Sequence, residues 1–253
     1  MYILESFFIA FSMYSKIPVP RVEWQEKNMK YAMCFFPAVG MVSGVLEVVS
    51  GMLLLRAGAG AFLFAVVMTL LPVLVTGGIH MDGFMDTLDA LGSYGDREKK
   101  LAILKDPHAG AFAILGLCCY LLWSVAVWTE AEADMLPVIG CGYVISRALS
   151  GLSVVTFKAA RDTGLASTFQ AAAVRKRVRV VMIVLILVFS VLSLVLNEKM
   201  GAASVLAGLL SFLYYRSVCV RQFGGVTGDL AGYFLQVCEL AMLTCIVLAG
   251  RIL

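Results

Sequence analysis

Charge is scarce in this chain, and so are residues that break apolar helices. Asp, Glu, Lys and Arg make up 15% of the 253 residues, prolines number six and histidines two, against 61% apolar residues and a mean hydropathy of +0.92. That balance excludes a soluble globular enzyme and a disordered binding segment alike. The seven cysteines include no CxxC and no Cys/His ligand spacing, which argues against zinc and disulfides and leaves them as small packing residues. No low-complexity segment, second soluble domain or internal repeat is visible, so residues 1–253 read as a single domain.

What is present is a series of apolar runs, at roughly 33–55, 61–77, 110–128, 135–155, 180–196, 201–215 and 230–250. A helix needs about 20 residues to cross a ~30 Å hydrocarbon core. The expected fold is therefore all-α: a polytopic membrane bundle of about seven transmembrane helices, with 201–215 the shortest span. The run MYILESFFIAFSMYS at 1–15 carries Glu5 and has neither a basic leader nor a small-residue cleavage site, so it reads as a retained interfacial helix.

Lysine and arginine gather in alternate loops, at 16–30, 78–109, 156–179 and 216–229, while the opposite ends hold Arg56, Lys199, Arg251 and the acidic TEAEAD at 129–134. Basic loops stay on the cytoplasmic side. The chain is thus expected to sit in the cell membrane with its polar, glycine-rich loops cytoplasmic. VRKRVR at 174–179 reads as a topology anchor or a contact to anionic lipid, not as a nucleic-acid site.

Against this background GGIHMDGFMDTLDAL at 77–91 stands out. Asp82, Asp86 and Asp89 fall at i, i+4 and i+7, so a helix projects all three from one face, where they repel unless a cation neutralises them. Mg²⁺ is the natural candidate, since it takes carboxylate oxygens and completes its shell with substrate phosphates. An acidic solvated loop ending in a helix cap fits the same letters. Gly77 and Gly78 ahead of the cluster permit close approach of a bulky ligand.

Two further segments extend the set. ILKDPHAGAFA at 103–113 brings Lys105, a phosphate contact or a positive-inside charge, and His108; RQFGGVTGDLAG at 221–232 brings Gly224, Gly225, Thr227 and Asp229 to a helix start suited to anions. Both histidines, His80 and His108, lie in these polar stretches. Inside the spans Glu47 and Arg147 pair with each other, line a cavity, or mark misplaced span limits, and Glu239 extends the site into the membrane.

The combination resembles the cobalamin synthase family, the adenosylcobinamide-GDP ribazoletransferases. The resemblance runs in order through KIPVP at 16–20, FFPAVGMVSG at 35–44, GGIHMDGFMDTLDAL, ILKDPHAGAFA, SRALS at 146–150 and GGVTGDLAG at 224–232 followed by Glu239. Two positions depart from the family pattern: Ala90, often glycine, and His108–Ala109, often Arg-Ile, so His108 receives no role.

The resemblance implies attack by the ribose 3′-hydroxyl of α-ribazole, or of its 5′-phosphate, on the cobinamide-linked phosphorus of adenosylcobinamide-GDP, with GMP leaving. It implies Mg²⁺ on Asp82, Asp86, Asp89 and Asp229, with Asp82 or Asp86 as an alternative base. Lys105 is expected at the departing phosphate, and Gly77, Gly78, His80, Gly224, Gly225, Thr227 and Glu239 at substrate. Membrane lipid is an expected partner and nucleic acid is not; a homo-oligomer and association with other corrinoid-assembly enzymes are left open. A CDP-alcohol phosphotransferase departs from the spacing, because Asp86–Thr87 stand where Ala-Arg is expected. A corrinoid or cation transporter lacks the paired broken helices that would mark it.

Overall fold

The computed structural model describes residues 2–252, and its architecture follows from the apolar runs. In chain order the helices are α1 (Tyr2–Tyr14), α2 (Glu26–Met29), α3 (Phe36–Arg56), α4 (Ala61–Thr76), α5 (Ile79–Gly92), α6 (Arg97–Ile103), α7 (Ala111–Trp128), α8 (Leu136–Thr156), α9 (Leu165–Ala172), α10 (Arg175–Leu196), α11 (Glu198–Val218) and α12 (Gly228–Ile252). A 3₁₀ turn, Ala32–Phe35, leads into α3, and a π turn, Cys219–Phe223, ends α11. Among the described residues the only β pairing is the isolated bridge between Ala159 and Val226.

Among the described residues six helices are long and apolar enough to cross a membrane: α3 with its lead-in, α7, α8, α10, α11 and α12. The pair α4 and α5 makes a seventh span if its 97° bend is allowed. The chain is thus a multi-pass membrane protein. The run expected at 201–215 is longer than its apolar letters suggest, because Asn197 caps α11 by accepting the Met200 N–H at 3.0 Å. Likewise α10 begins at Arg175, inside the basic run, since long basic side chains reach past the end of a span without ending its helix.

α8 is the axis of the bundle. Its run Cys141–Gly151 is buried without a break, against α3, α10 and α12. Arg147, 1% exposed, lies in that run and forms an ion pair with Glu239 of α12, while Ser146 donates to the same carboxylate at 2.9 Å. The in-membrane arginine therefore pairs with Glu239, not with Glu47. Glu47 accepts a 3.4 Å hydrogen bond from the Tyr143 hydroxyl.

α1 stays with the bundle. At about 1.5 Å per residue its 13 residues cover only about 20 Å, too short to cross. Ile9, Ala10, Phe11 and Met13 are buried, the Phe7 ring meets Phe35 edge-on at 5.6 Å, and the Lys16 N–H donates to the Val75 carbonyl at 2.8 Å. The outward side, with Tyr2, Ile3 and Leu4 exposed, suits a lipid boundary.

The turn from α4 to α5 sets up everything polar. Gly77 and Gly78 sit at φ +65° and +79°, a backbone that side-chain-bearing residues rarely adopt, and the two together close α4 and restart the chain as α5 at a right angle. Their visible role is thus the turn.

Candidate active site

α5 crosses the start of α12 at backbone contact. A Cβ on Gly83 would lie 2.7 Å from the Asp229 carbonyl oxygen and 2.8 Å from its Cα, and one on Gly232 would lie 3.0 Å from the His80 carbonyl oxygen. Backbone cannot yield as a flexible side chain would. Gly83→Ala is therefore expected to push the helices apart and destabilise the protein by about 1–3 kcal/mol, read as a lowered thermal midpoint of the purified protein.

This crossing seats Asp82 and Asp229 on one cavity of ≈ 270 Å³, walled by α1, α3, α5, α8, α9 and α12. A second cavity, ≈ 290 Å³, lies beyond Gly228 and Asp229, which border both. The second is the basic one, with Lys105, Arg161, Thr163, Ser167 and Thr227 on its walls. Arg161 reaches Asp229 at 3.2 Å, and the Thr227 hydroxyl donates to the same carboxylate oxygen at 3.3 Å. Thr227 also caps α12 by accepting the Leu230 N–H at 3.2 Å.

Arg161 arrives because loop 157–164 pairs with loop 224–227. Val226 donates to the Lys158 carbonyl at 2.8 Å and Ala160 to the Val226 carbonyl at 3.0 Å. Gly224 and Gly225 make this junction possible and line neither cavity: Gly224, at φ +70°, is covered by the Arg97 guanidinium, and Gly225 lies on the backbone of 158–160.

The carboxylates do not all converge. Asp86 lies in the electrostatic field of Asp82, Asp229 and Asp89. Asp89 instead turns to α7, whose N-cap is a glycine with no side chain to offer: it accepts the N–H groups of Gly110 and, at 2.8 Å, of Ala113. It thus caps a helix in trans and places negative charge at that helix's positive end. Among the described residues no three His, Cys, Asp or Glu side chains are gathered closely enough to hold a metal ion. The donor chemistry still fits magnesium, which commonly takes one or two carboxylates and completes its shell with water and substrate phosphate; Asp82 and Asp86 are the carboxylates without a competing cation or helix end.

His80 lines the acidic cavity, 4% exposed, and its Nε2 has no hydrogen-bond partner. His108 stands outside both cavities, 88% exposed in its side chain and paired with Asp106 at 2.8 Å. Its backbone N–H and ring hold the Asp106 carboxyl below the usual carboxylate range. Glu239 is deeper, beside Arg147 and a void of ≈ 30 Å³, and lines neither larger cavity. The walls that sequence reasoning missed are Arg161, Tyr14, Phe36, Phe169 and Ser150. Arg161 carried a local signal, a cation followed by Asp-Thr-Gly in a loop, and Phe36 and Ser150 lie in the FFPAVGMVSG and SRALS blocks.

Fold and site together define a polytopic helical membrane protein with its polar groups gathered into two adjoining cavities. A family model described as cobalamin-5-phosphate synthase matches residues 6–247, and the chain belongs to that family. It is 42% identical over 250 residues, 99% of this chain and 96% of the relative, to an adenosylcobinamide-GDP ribazoletransferase from Lachnoclostridium phytofermentans. Proteins of the same name from Pseudomonas fluorescens and Clostridium perfringens are 36% identical over 251 residues and 31% over 230, covering 94% and 90% of this chain and 96% and 91% of those proteins. No solved structure matches.

Proposed function

We propose that this chain is an adenosylcobinamide-GDP ribazoletransferase. The ribose 3′-hydroxyl of α-ribazole, or of its 5′-phosphate, attacks the phosphorus that carries cobinamide. A P–O bond forms there, the diphosphate bridge breaks, GMP leaves, and the hydroxyl proton passes to a carboxylate. The observation that carries this reading is the shared wall at Gly228–Asp229, with carboxylates on one side and cations on the other. Two substrates can meet there, one to be deprotonated and one to leave as an anion. The family match over 6–247 supports the same reading and gives none to the CDP-alcohol phosphotransferase or the transporter.

Asp82, on the acidic cavity beside the reacting hydroxyl, is the base or, with Asp86, a ligand of Mg²⁺. When bound, magnesium neutralises the diphosphate and the charge that develops on it. Lys105 and Arg161 face the departing GMP phosphate, as Lys and Arg do where phosphoryl charge is released. Asp229 is held between Arg161 and Thr227 and positions Arg161. The basic residues of loops 78–109, 156–179 and 216–229 support a cytoplasmic site and an orientation to match.

The test is GMP release by purified protein given adenosylcobinamide-GDP and α-ribazole phosphate, first with Mg²⁺ and then with chelator. Metal-dependent release with formation of the joined corrinoid is the expected result; a folded, lipid-supplied sample that releases none refutes the reading. In the same assay Asp89→Asn is expected to keep most of its turnover, since its one amide oxygen still accepts one of the two α7 N–H groups, while Asp89→Ala lowers stability by about 1 kcal/mol. Loss of turnover in Asp89→Asn with an unchanged thermal midpoint would make Asp89 a metal ligand instead.

A further inference from the structure

The acidic cavity has a second character, set by its far wall. The Tyr14 ring packs on Phe36 at 4.3 Å between centroids and on Phe169 at 6.3 Å, and His80 lies parallel to Tyr14 at 6.1 Å and edge-on to Phe36 at 5.9 Å. Four rings from α1, α3, α5 and α9 thus gather at one slot. Among the described residues seven buried side-chain polar atoms lack a partner, and two of them, Nε2 of His80 and Oγ of Ser150, belong to residues lining this slot, Ser150 being 1% exposed. Nearly all buried polar groups find a hydrogen bond, so two orphans on one cavity point to a ligand that supplies what they lack.

From this geometry we infer that the slot is the base subsite, taking the flat nitrogen heterocycle of the acceptor nucleoside, and that His80 and Ser150 determine its specificity. The inference rests on the reaction proposed above. The rings offer faces for stacking on a planar base. The free ring nitrogen of a benzimidazole accepts a hydrogen bond from Ser150 Oγ–H or His80 Nε2–H. Pockets for drug-sized ligands run to about 300–1,000 Å³, so ≈ 270 Å³ is a small one that suits a single ring system with its sugar at the mouth and not the corrin macrocycle. A lipid acyl chain would fill the space and leave both polar atoms unsatisfied. A base seated here places its ribose beside Asp82 and Asp229, which border the same cavity.

The test uses the full chain in lipid nanodiscs and two ribosides, one of benzimidazole and one of indole, in which carbon replaces the free ring nitrogen. Equilibrium binding of each is measured alongside GMP release. The unaltered protein is expected to bind the benzimidazole riboside about tenfold more tightly. Ser150→Ala and His80→Phe should each bring that ratio close to one, and His80→Gln, which keeps a hydrogen-bonding group, should restore part of it. An unchanged ratio in both variants, or no preference in the unaltered protein, overturns the assignment, as does equal weakening for both ribosides, the mark of a merely structural role. Selective binding without any GMP release upholds the base subsite and refutes the proposed reaction.

Discussion

Replacing Asp82 with asparagine is expected to lower turnover by about a thousandfold, the scale seen when one charged or hydrogen-bonding group at a reacting centre is lost. The substitution is nearly isosteric, so the thermal midpoint should scarcely move. Asp82 alone joins the α5 carboxylate series to the acidic cavity, because Asp89 is turned to α7 and Asp86 is not on the cavity wall. Titration with Mg²⁺ separates its two possible jobs. A lost ligand raises the magnesium concentration needed for half-maximal GMP release; a lost base lowers turnover at every magnesium concentration and leaves the magnesium requirement alone. Asp86→Asn should show the first effect only. Normal turnover in Asp82→Asn would remove the aspartate cluster from the mechanism.

The second large effect is on stability. Arg147→Met is expected to cost about 3–5 kcal/mol, because it leaves the Glu239 carboxylate buried and unpaired in the middle of the bundle. Glu239→Met alone should cost a similar amount by stranding the Arg147 guanidinium. The double variant is expected to recover most of the loss, since two well-packed apolar side chains often match a buried ion pair. Thermal unfolding in detergent reads all three. If the double variant were as unstable as the sum of the singles, the pair would not be the unit that holds α8 to α12.

The helices were legible because hydropathy is a local property, and the limits at α4, α7 and α8 fall within about two residues of the apolar runs. The limits missed were those set by something other than hydropathy, such as the Asn197 cap and the basic start of α10. At the site, the glycine-rich blocks pointed to the right end of the bundle. Helical spacing alone, however, put Asp82, Asp86 and Asp89 to one use. Asp89 also accepts N–H groups at the glycine cap of α7, more than twenty residues later, and spacing carries no such information. Glu47 is the partner that the sequence offers Arg147, and helix packing gives it Glu239 instead. Tyr14, Phe36 and Phe169 come from three segments that look like ordinary core when read separately.

The contact of Gly83 with the backbone of Asp229 also sets a timetable. These residues are separated by about 150 positions, and at about 5–20 residues per second the ribosome takes roughly seven to thirty seconds to bridge them. Throughout that interval α5 can lean on α7, whose start Asp89 caps, but the side of it that carries Gly83 stays uncovered. α12 completes the site, so the protein becomes an enzyme only once that helix has emerged.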